Sequence, residues 1–257
     1  MQYRGLLSDY DGTVSTVQNT ISENVSHALR LLHRRGIHFG FCTGRAYSFL
    51  APYIKDQGLD GAHVVCGGAQ LVDSEGHILR ETLIPADTMR EVAHQILSMN
   101  GLLIVKKGDL YGNALAIQDA EHRVGLFIRP LDELRDWNIP AFFVGHLDDE
   151  SWNTLEARTD IGLSKQRGRY EKQGFFADGV APGVSKGSGA RWWCEYHGLD
   201  PQTVIGIGDG ENDVALFETV GLGIAVENAV PELKARADTI APALDEDGVA
   251  WAIHRYF

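Results

Sequence analysis

Apolar and polar positions alternate with two different periods along the first part of the chain. Continuous apolar runs predict buried strands, and stretches with apolar residues three and four apart predict amphipathic helices. In the first helix Val25, Leu29 and Leu32 fall on one stripe, and Gly36 follows as a stop signal. Strands separated by helices are typical of βαβ units in a parallel sheet. The predicted strands are 5–9, 37–42 and 62–66, and the predicted helices are 22–35 and 46–57.

The last third of the chain returns to this alternation, after a middle part with another pattern. In the middle, a predicted hairpin at 70–80 is followed by a mixture of helical and strand-like stretches. There the predicted helices are 88–99 and one that starts within 146–159, and the predicted strands are 101–119, 122–128 and 139–145. In the last third the predicted helices are 186–197 and 212–219, and the predicted strands are 203–207 and 222–226.

These patterns predict an α/β protein whose core is divided by an insertion. We expect residues 1–84 and 179–257 to form a doubly wound, mainly parallel, Rossmann-like core sheet with its helices. Residues 85–178 are expected to form an inserted α+β cap domain. A domain inserted at this point can close over the ligand-binding edge of a sheet, exclude water and contact a substrate.

Composition and charge narrow the class of protein. The 257 residues carry a formal net charge of −12, which argues against a general nucleic-acid binder because phosphate backbones attract basic surfaces. The three cysteines, Cys42, Cys66 and Cys194, form no CxxC or Cys/His pattern, which favours a reducing compartment. The sequence shows no secretory signal and no apolar run of the about 20 residues that a membrane span needs. We therefore expect a cytoplasmic protein without nucleic-acid or membrane partners.

Three predicted strands of the core end in small, polar or charged residues. The first runs into "DYDGT", the second into "TGR", and a later one into "GDGEND". Each stretch alone is also compatible with an ordinary polar turn, since Asp-Gly is a turn dipeptide. The carboxyl ends of parallel strands meet at one edge of the sheet, where ligands bind in open α/β folds. The three stretches together therefore predict a site at that edge.

The residue types at this edge fit phosphoryl transfer. Carboxylates on separate strand ends suit Mg²⁺, which prefers oxygen ligands and often shares them with a substrate phosphate. A carboxylate such as Asp9 can attack phosphorus, and a second one, Asp11, can move the proton of the leaving oxygen and of water. Thr43 offers a hydroxyl, Gly44 an unobstructed backbone N–H and Lys186 an ammonium to the phosphoryl oxygens.

At this point the chain resembles a known family. "DYDGT", "TGR", "SKG" at the head of a helix and "GDGENDVALF" look like the four ordered motifs of the haloacid dehalogenase (HAD) superfamily. "GVSKG", "GIAVENAVPELKARAD" and "DEDGVA" are similar to its Cof-like (type IIB) sugar-phosphatase branch. The motifs extend from residue 9 to residue 248, so the resemblance covers the core and not the insertion. It implies a HAD-like core with a cap.

The resemblance also implies a role for each matching carboxylate. Asp9 would be the nucleophile and a Mg²⁺ ligand, and Asp209 would be a second ligand. Asp11 would be the general acid and base and would lend its backbone carbonyl to the metal. Asp213 would fix the water molecules on the metal or the side chain of Lys186.

Further residues would hold the substrate. The resemblance implies that Thr43, Lys186 and Asn212 bind the phosphoryl group and that Arg45 reaches the leaving group. Polar residues of the insertion are further candidates for substrate contacts, although a solvated surface role is the simpler interpretation of each. They are Lys106, Lys107, Tyr111, Asn113, Arg123 and Arg129.

Plain structural interpretations stay open for several of these residues. Asp213 can simply be an acidic residue that the helix dipole favours at a helix start. Asn212 can simply be a helix cap. Arg45 can be a solvated charge. Lys186 at a helix N-terminus is unfavourable for the dipole, which favours a specific role. Cys42, directly before Thr43, is most simply a buried strand residue.

The favoured function is a Mg²⁺-dependent phosphatase that acts on a small phosphorylated metabolite, with a sugar phosphate as the expected class, through an aspartyl-phosphate. One alternative is a sugar phosphomutase that uses the same intermediate. Another is a non-catalytic regulator that binds a phosphorylated metabolite. A dinucleotide-binding loop is disfavoured because Glu211 stands where GxGxxG needs glycine. We expect a monomer or a small homo-oligomer.

Overall fold

The chain divides into two compact units. The computed structural model describes residues 3–16, 19–120, 126–167 and 174–257. The first unit consists of Met1–Arg45, Leu50–Arg80 and Ser185–Phe257, and the second of Ala46–Phe49 and Glu81–Val184. The predicted domain boundaries at 84/85 and 178/179 stay a prediction of how the chain is organised.

A five-stranded parallel sheet forms the centre of the first unit. Its strand order is β14-β13-β12-β1-β2, and each neighbouring pair is parallel. In the register, Leu6 of the central strand β1 lies between Ile205 and Phe39. The predicted α/β fold with a parallel core sheet is confirmed. The strands are β1 (Gly5–Ser8), β2 (His38–Phe41), β12 (Val204–Gly208), β13 (Leu222–Val226) and β14 (Thr239–Ala241).

Helices occupy the connections of this unit, and their bounds follow from local signals. Ser22 caps the first helix by accepting a hydrogen bond from the Val25 N–H, and Gly36 ends it with a φ of 67°. The predicted stripe of Val25, Leu29 and Leu32 is buried. The helices are α1 (Glu23–Arg34), α6 (Lys186–His197), α7 (Val214–Phe217), α8 (Pro231–Lys234) and α9 (Gly248–Tyr256), together with α2 (Tyr47–Gln57), which belongs to this unit from Leu50 onward.

A second, three-stranded sheet of this unit departs from the expected topology. Residues 62–66 were expected to add a strand to the parallel sheet, but β3 (Ala62–Val65) pairs antiparallel with β4 (Gln70–Asp73). Its described backbone pairing beside β2 is limited to one isolated parallel bridge between Cys42 and Val64, although the Phe41 N–H of β2 also donates to the His63 side chain of β3. β5 (Ile78–Glu81) completes this small sheet, in the order β3-β4-β5. The predicted hairpin at 70–80 is therefore correct, and it takes β3 as a partner.

A six-stranded sheet in the order β10-β11-β9-β6-β7-β8 forms the second unit. One face packs on α3 and α5 through Val92, Ile96, Trp152 and Leu155, and the other on α4 through Ala116. The strands are β6 (Leu102–Lys107), β7 (Asp109–Gly112), β8 (Arg129–Pro130), β9 (Ala141–Gly145), β10 (Gly162–Arg167) and β11 (Phe175–Val180). The helices are α3 (Ala86–Ser98), α4 (Ala114–Ala120) and α5 (Asp149–Glu156).

Several predictions for the second unit were wrong in detail. Residues 101–119 were expected to be strand, but Ala114–Ala120 is helix, because Asn113 accepts hydrogen bonds from the N–H groups of Leu103 and Ala116 and so starts a turn. The predicted strand 122–128 lies partly outside the described residues, and its described part, 126–128, is not strand. Strands β10 and β11 were not predicted, because their short apolar runs include charged and glycine residues.

Two features of the C-terminal part also differ from expectation. The predicted helix 212–219 is a 3₁₀ turn over Glu211–Asp213 followed by the short α7. The elements α8, β14 and α9 follow without having been predicted. Within the described part of the chain, no helix combines the length and the apolar character that a membrane crossing requires.

Candidate active site

Two aspartates follow adjacent strands of the parallel sheet and lie at its carboxyl edge. Asp9 comes directly after β1, and Asp209 directly after β12. Both residues are buried, at 6% relative exposure each. Parallel pairing of β1 with β12 places the two strand ends side by side, as the sequence predicted.

Lys186 reaches this edge from the first turn of α6. Ser185 caps this helix, and Ser188 completes a capping box, so the lysine lies at a well-defined helix start. The Lys186 Nζ donates to Asp9 Oδ1 at 2.8 Å and to Asp213 Oδ1 at 2.6 Å, with its side chain only 1% exposed. A buried ammonium needs such partners, so Lys186 is not a solvated surface residue.

Asp213 uses both of its oxygens on neighbouring groups. Its Oδ1 accepts from Lys186, and its Oδ2 accepts from the backbone N–H groups of Asp209 and Gly210, each at 3.0 Å. Its side chain is fully buried. Asp213 thereby holds the tight turn that carries Asp209 and anchors Lys186. These contacts exceed those of a helix-start charge, and the predicted role of Asp213 in the site stays a prediction.

The first loop and the Asp209 loop are also joined directly. The Thr13 hydroxyl donates to Asp209 Oδ1 at 3.1 Å, and both residues are buried. The loop after β1 therefore orients the carboxylate that follows the neighbouring strand, 196 residues further along the chain.

The buried cluster contains more acidic than basic groups. Three carboxylates, from Asp9, Asp209 and Asp213, surround the single ammonium of Lys186, which leaves two negative charges uncompensated when all are ionised. Burial raises the pKa of Asp9 well above its ordinary value, Lys186 lowers it, and the neighbouring carboxylates add to the increase. Burial alone would lower the pKa of Lys186, but Asp213 and Asp9 outweigh it and raise that pKa.

This donor set fits a divalent cation. Asp9, Asp209 and Asp213 each offer an oxygen, and these atoms lie within 4.8 Å of one another. Because Asp213 is already bound by an ammonium and two N–H groups, Asp9 and Asp209 are the better placed ligands. The charge of a divalent cation equals the uncompensated charge of the cluster. Hard oxygen donors are those that Mg²⁺ prefers.

Asp11 and Arg45 form a second, more exposed arrangement. The Arg45 guanidinium donates from Nε to Asp11 Oδ2 at 2.8 Å and from Nη2 to Asp11 Oδ1 at 2.7 Å. The two side chains are 33% and 44% exposed. The carboxylate of Asp11 is therefore outside the described metal cluster, and the predicted use of its backbone carbonyl as a ligand stays a prediction.

The other predicted substrate-binding residues lie on two loops of the same unit. Thr43 is buried, and its Oγ1 accepts from the Arg45 N–H at 3.2 Å, which shapes the loop that includes Gly44. Asn212 is partly exposed within the 3₁₀ turn, between the exposed Glu211 and the buried Asp213. Cys42 lies at the end of β2, and its thiol is buried. Burial raises the pKa of this thiol, which disfavours a nucleophilic thiolate.

The sequence did not single out Asn228. Its Nδ2 donates to the Gly12 carbonyl at 2.8 Å, and its Oδ1 accepts from the Leu244 N–H at 2.8 Å. Two residues further on, the Val230 N–H donates to the Asp209 carbonyl. The loop after β13 thus holds both carboxylate-bearing loops. A signal existed, since Asn228 follows a core strand as the predicted site residues do.

Most polar candidates from the insertion have partners within the second unit. Lys106 pairs with Asp178, Lys107 with Asp136, and Arg129 with Glu133 and Asp109. Asn113 bonds to backbone groups. Tyr111 lies under Arg129, whose guanidinium carbon is 5.6 Å from the ring centroid. Arg123 lies outside the described residues.

The parallel sheet, the carboxylate pair at its edge and the buried lysine form an arrangement that suits the binding of a divalent cation and an anionic ligand. Comparison with known proteins agrees. A family model described as haloacid dehalogenase-like hydrolase matches residues 6–253. The chain belongs to this family.

Two of the relatives that the chain resembles are named phosphatases. The chain is 28% identical to an HMP-PP phosphatase from Serratia proteamaculans, over 90% of this chain and 86% of the relative. It is 26% identical to the pyridoxal phosphate phosphatase YbhA of Escherichia coli, over 100% and 99% of the two chains. A match to the chloroplastic endoribonuclease YBEY of Arabidopsis thaliana, at 26% identity, covers 98% of this chain and only 46% of that protein.

Solved structures share the fold. The HAD subclass IIB sugar phosphatase BT4131 superimposes with a TM-score of 0.83 at 20% identity, over 98% of each chain. The predicted family and its Cof-like branch are confirmed, as is a phosphoric monoester hydrolase as the class of enzyme.

Proposed function

We propose that this protein is a Mg²⁺-dependent phosphatase that releases phosphate from a small phosphorylated metabolite through an aspartyl-phosphate on Asp9. The observation that supports this most is the position of Asp9, between the Lys186 ammonium on one side and the Asp209 carboxylate on the other. An anionic substrate needs a site with positive charge, and a divalent cation held by Asp9 and Asp209 would supply it beside the Lys186 ammonium.

Asp9 supplies the nucleophile. The hydrogen bond from Lys186 fixes its carboxylate, and the same ammonium can contact a phosphoryl oxygen as charge moves onto it. In the first step an Asp9 oxygen forms a bond to phosphorus while the bond from phosphorus to the leaving oxygen breaks. Thr43, the Gly44 N–H and Asn212 are proposed to hold the remaining phosphoryl oxygens.

Asp11 moves the protons. In the first step it gives a proton to the leaving oxygen, and in the second it takes a proton from the water that attacks the aspartyl-phosphate. The bond between Asp9 and phosphorus then breaks, so that phosphate is released and both carboxyl groups return to their starting states. Arg45, which holds Asp11 by two hydrogen bonds, orients it and gives up the bond to one oxygen while that oxygen carries the proton.

Asp9 and Asp209 are proposed to bind the cation, with Asp213 fixing the loop of Asp209 and the ammonium of Lys186. When bound, Mg²⁺ neutralises the carboxylates and the phosphoryl group so that one anion can approach another. Removing the repulsion among the buried carboxylates is also expected to stabilise the fold, because the ion binds the folded state alone.

A small phosphorylated metabolite is the proposed substrate. Relatives named for HMP-PP, pyridoxal phosphate and a sugar phosphate support this class without choosing among its members. The same proposal includes a cytoplasmic location, which the three free buried cysteines support, no nucleic-acid or membrane partner, and a monomer or small homo-oligomer.

Phosphate release from a panel of sugar phosphates, pyridoxal phosphate, HMP-PP and a generic aryl phosphate tests the proposal. We expect turnover with Mg²⁺, none with a chelator, and a loss of about 10³-fold or more in Asp9→Asn. Asp60→Asn is the matched control, since the Asp60 side chain is 74% exposed and pairs only with His33 among the described contacts. It should leave turnover unchanged.

Two results would overturn the proposed phosphatase activity. Transfer of labelled phosphate to a second position of a sugar, with little release, would indicate the mutase. Binding of phosphorylated metabolites by folded, Mg²⁺-replete protein without release or transfer would indicate the regulator.

A further inference from the structure

Three consecutive residues after β3 have a left-handed backbone. The φ angles are 53° at Cys66, 67° at Gly67 and 102° at Gly68. The other described residues with positive φ that are not glycine are Asn19, Asn100, His146 and Asp247, all of types enriched in this conformation. Cys66 is therefore the exception, and it is also buried, at 2% exposure. An unfavourable conformation that persists in a folded protein indicates that the surroundings impose it, and such positions cluster at functional sites.

The imposed conformation lets this turn bind the loop that carries Thr43. The Cys66 N–H donates to the Arg45 carbonyl at 2.8 Å, and the Gly67 N–H donates to the Thr43 carbonyl at 2.9 Å. In the opposite direction, the Thr43 N–H donates to the Val64 carbonyl at 3.0 Å. These three bonds tie the main chain of residues 43–45 to the end of β3. The loop proposed to hold phosphoryl oxygens is thus fixed from this side.

The same turn also touches the start of α6. A Cβ atom added to Gly68 would lie 1.9 Å from the Ser185 carbonyl oxygen, so the main chains are in close contact there. A Cβ atom added to Gly189 would meet the Gly68 Cα at 3.0 Å. Ser185 caps α6 and is the residue before Lys186. The turn therefore lies between the Thr43 loop and the helix start that positions the buried ammonium.

We propose that Cys66–Gly68, the left-handed turn, is a positioning element that sets the Thr43–Arg45 loop relative to Lys186, and that Cys66 acts in it through its backbone and not through its thiol. That this position matters for catalysis rests on the proposed phosphatase activity. The positioning of the loop does not depend on that activity, because it is a relationship between main-chain groups.

Substitutions at Cys66 separate this proposal from two others. If the backbone conformation matters, Cys66→Gly and Cys66→Asn should be tolerated, because Gly and Asn adopt positive φ readily. Cys66→Val should not be tolerated, because a branched side chain resists positive φ. If Cys66 only fills space in the core, Val and Ala should be tolerated and Asn should not. If the thiol itself is needed, all substitutions should fail alike. Asn can also keep a donor near Gln70 Oε1, to which the thiol now donates.

The experiment compares Cys66→Gly, Cys66→Asn, Cys66→Ala and Cys66→Val. Cys194→Asn and Cys194→Val are the matched controls, because Cys194 is equally buried but lies inside α6 with helical backbone. The readouts are kcat and KM with the best phosphate monoester, the thermal midpoint, and amide hydrogen exchange at residues 43, 66 and 67.

We expect wild-type kcat/KM in Cys66→Gly and Cys66→Asn, and a loss of about 100-fold in Cys66→Val, as for a displaced catalytic group. Cys66→Ala should resemble the wild type. At Cys194 the order should reverse, with Val tolerated and Asn destabilising. In Cys66→Val the Thr43 and Gly67 amides should exchange faster, while the amides inside β3 stay protected.

Hydrogen exchange does not require turnover, so it tests the turn even if the protein is not a phosphatase. If the Thr43 and Gly67 amides exchange at the same rates in Cys66→Val as in Cys66→Gly, the turn does not position the Thr43–Arg45 loop and the proposal is overturned. If Cys66→Val does not fold, Cys66→Asn decides, since a loss of protection or thermal midpoint in it as large as in Cys194→Asn would indicate a packing role. Equal inactivation by all four substitutions would indicate a role of the thiol.

Discussion

Arg45 holds the Asp11 carboxylate by two parallel hydrogen bonds, at 2.8 and 2.7 Å, although the two residues are separated by 34 positions in the chain. The pairing joins the loop after β1 to the loop after β2. A guanidinium fixes both the position and the plane of a carboxylate, whereas an ammonium fixes only its distance. A residue that must give and take a proton at one place benefits from that orientation.

Arg45→Lys should therefore lower turnover while keeping the charge. We expect kcat/KM for a phosphate monoester to fall by about 10- to 100-fold, since proton transfer by a positioned group contributes about 10²–10⁴-fold. Arg45→Ala should fall further, because it also removes the charge. Arg80→Lys is the control, because Arg80 forms an exposed ion pair with Glu195. Unchanged kinetics in Arg45→Lys would instead favour a solvated charge at position 45.

Lys186→Met should destabilise the protein in the absence of metal. The substitution leaves Asp9 and Asp213 buried next to each other without their common cation, and breaking a buried pair costs about 3–5 kcal/mol of unfolding free energy. Urea denaturation in a chelator measures this. Mg²⁺ should restore part of the loss, because it neutralises Asp9 and Asp209. Lys234→Met, which removes a partly exposed lysine paired with Glu227, should change stability by less than about 0.5 kcal/mol.

Asn228→Asp should impair catalysis although the residue lies outside the four motifs. Aspartate can still accept from the Leu244 N–H, but it cannot donate to the Gly12 carbonyl, which it would repel. We expect the free energy of unfolding to fall by about 1–3 kcal/mol, because the loop bearing Asp9 and Asp11 loses an anchor. For the same reason we expect half-maximal turnover to require more Mg²⁺ than in the wild type. Asn153→Asp, at an exposed position of α5, controls for the added charge. If turnover of Asn228→Asp responds to Mg²⁺ as the wild type does, Asn228 does not anchor the loop that bears Asp9 and Asp11.

His63 should make the fold sensitive to acid. Its Nδ1 accepts from the Phe41 N–H, and burial lowers the pKa of the ring from 6.5 to about 3. Between pH 6.5 and about 3 the unfolded chain therefore binds more protons than the folded one, so stability falls as pH falls through this window. The slope from one such group is at most about 1.4 kcal/mol per pH unit.

His63→Asn tests this dependence. The Asn Oδ1 occupies the place of Nδ1 and can accept the same hydrogen bond, but it does not titrate. We expect the variant to be less stable at pH 8, because the side chain is smaller, and to lose less stability than the wild type between pH 6.5 and pH 4. Urea midpoints across this range measure both effects. Parallel curves for the two proteins would place the acid sensitivity elsewhere.

The carboxylate edge could be predicted because it depends on local pattern. A buried run that ends in Asp9, and another that ends in Asp209, are recognisable without knowing what lies between them. Parallel pairing then brings the two ends together by a general rule. The same rule would have identified Asn228, which follows β13, had it been applied to that strand.

Other features depend on tertiary contacts that no local pattern encodes. The apolar run at β3 predicted a strand correctly, but not that it would pair with β4 and only bridge to β2. The left-handed Cys66 is unpredictable from its residue type, which disfavours that conformation. The helix at Ala114–Ala120 follows from side-chain hydrogen bonds of Asn113 that compete with the strand pattern.

The position of β1 between β2 and β12 has a consequence for synthesis of the chain. Gly5 of β1 and its partner Val204 of β12 are 199 residues apart, which corresponds to about 10–40 s of translation at about 5–20 residues per second. During this time the first strand can pair with β2, but its other edge waits for a partner that has not yet been made. Nascent chains are then most exposed to wrong strand pairing, and chaperone binding in that interval should favour correct assembly.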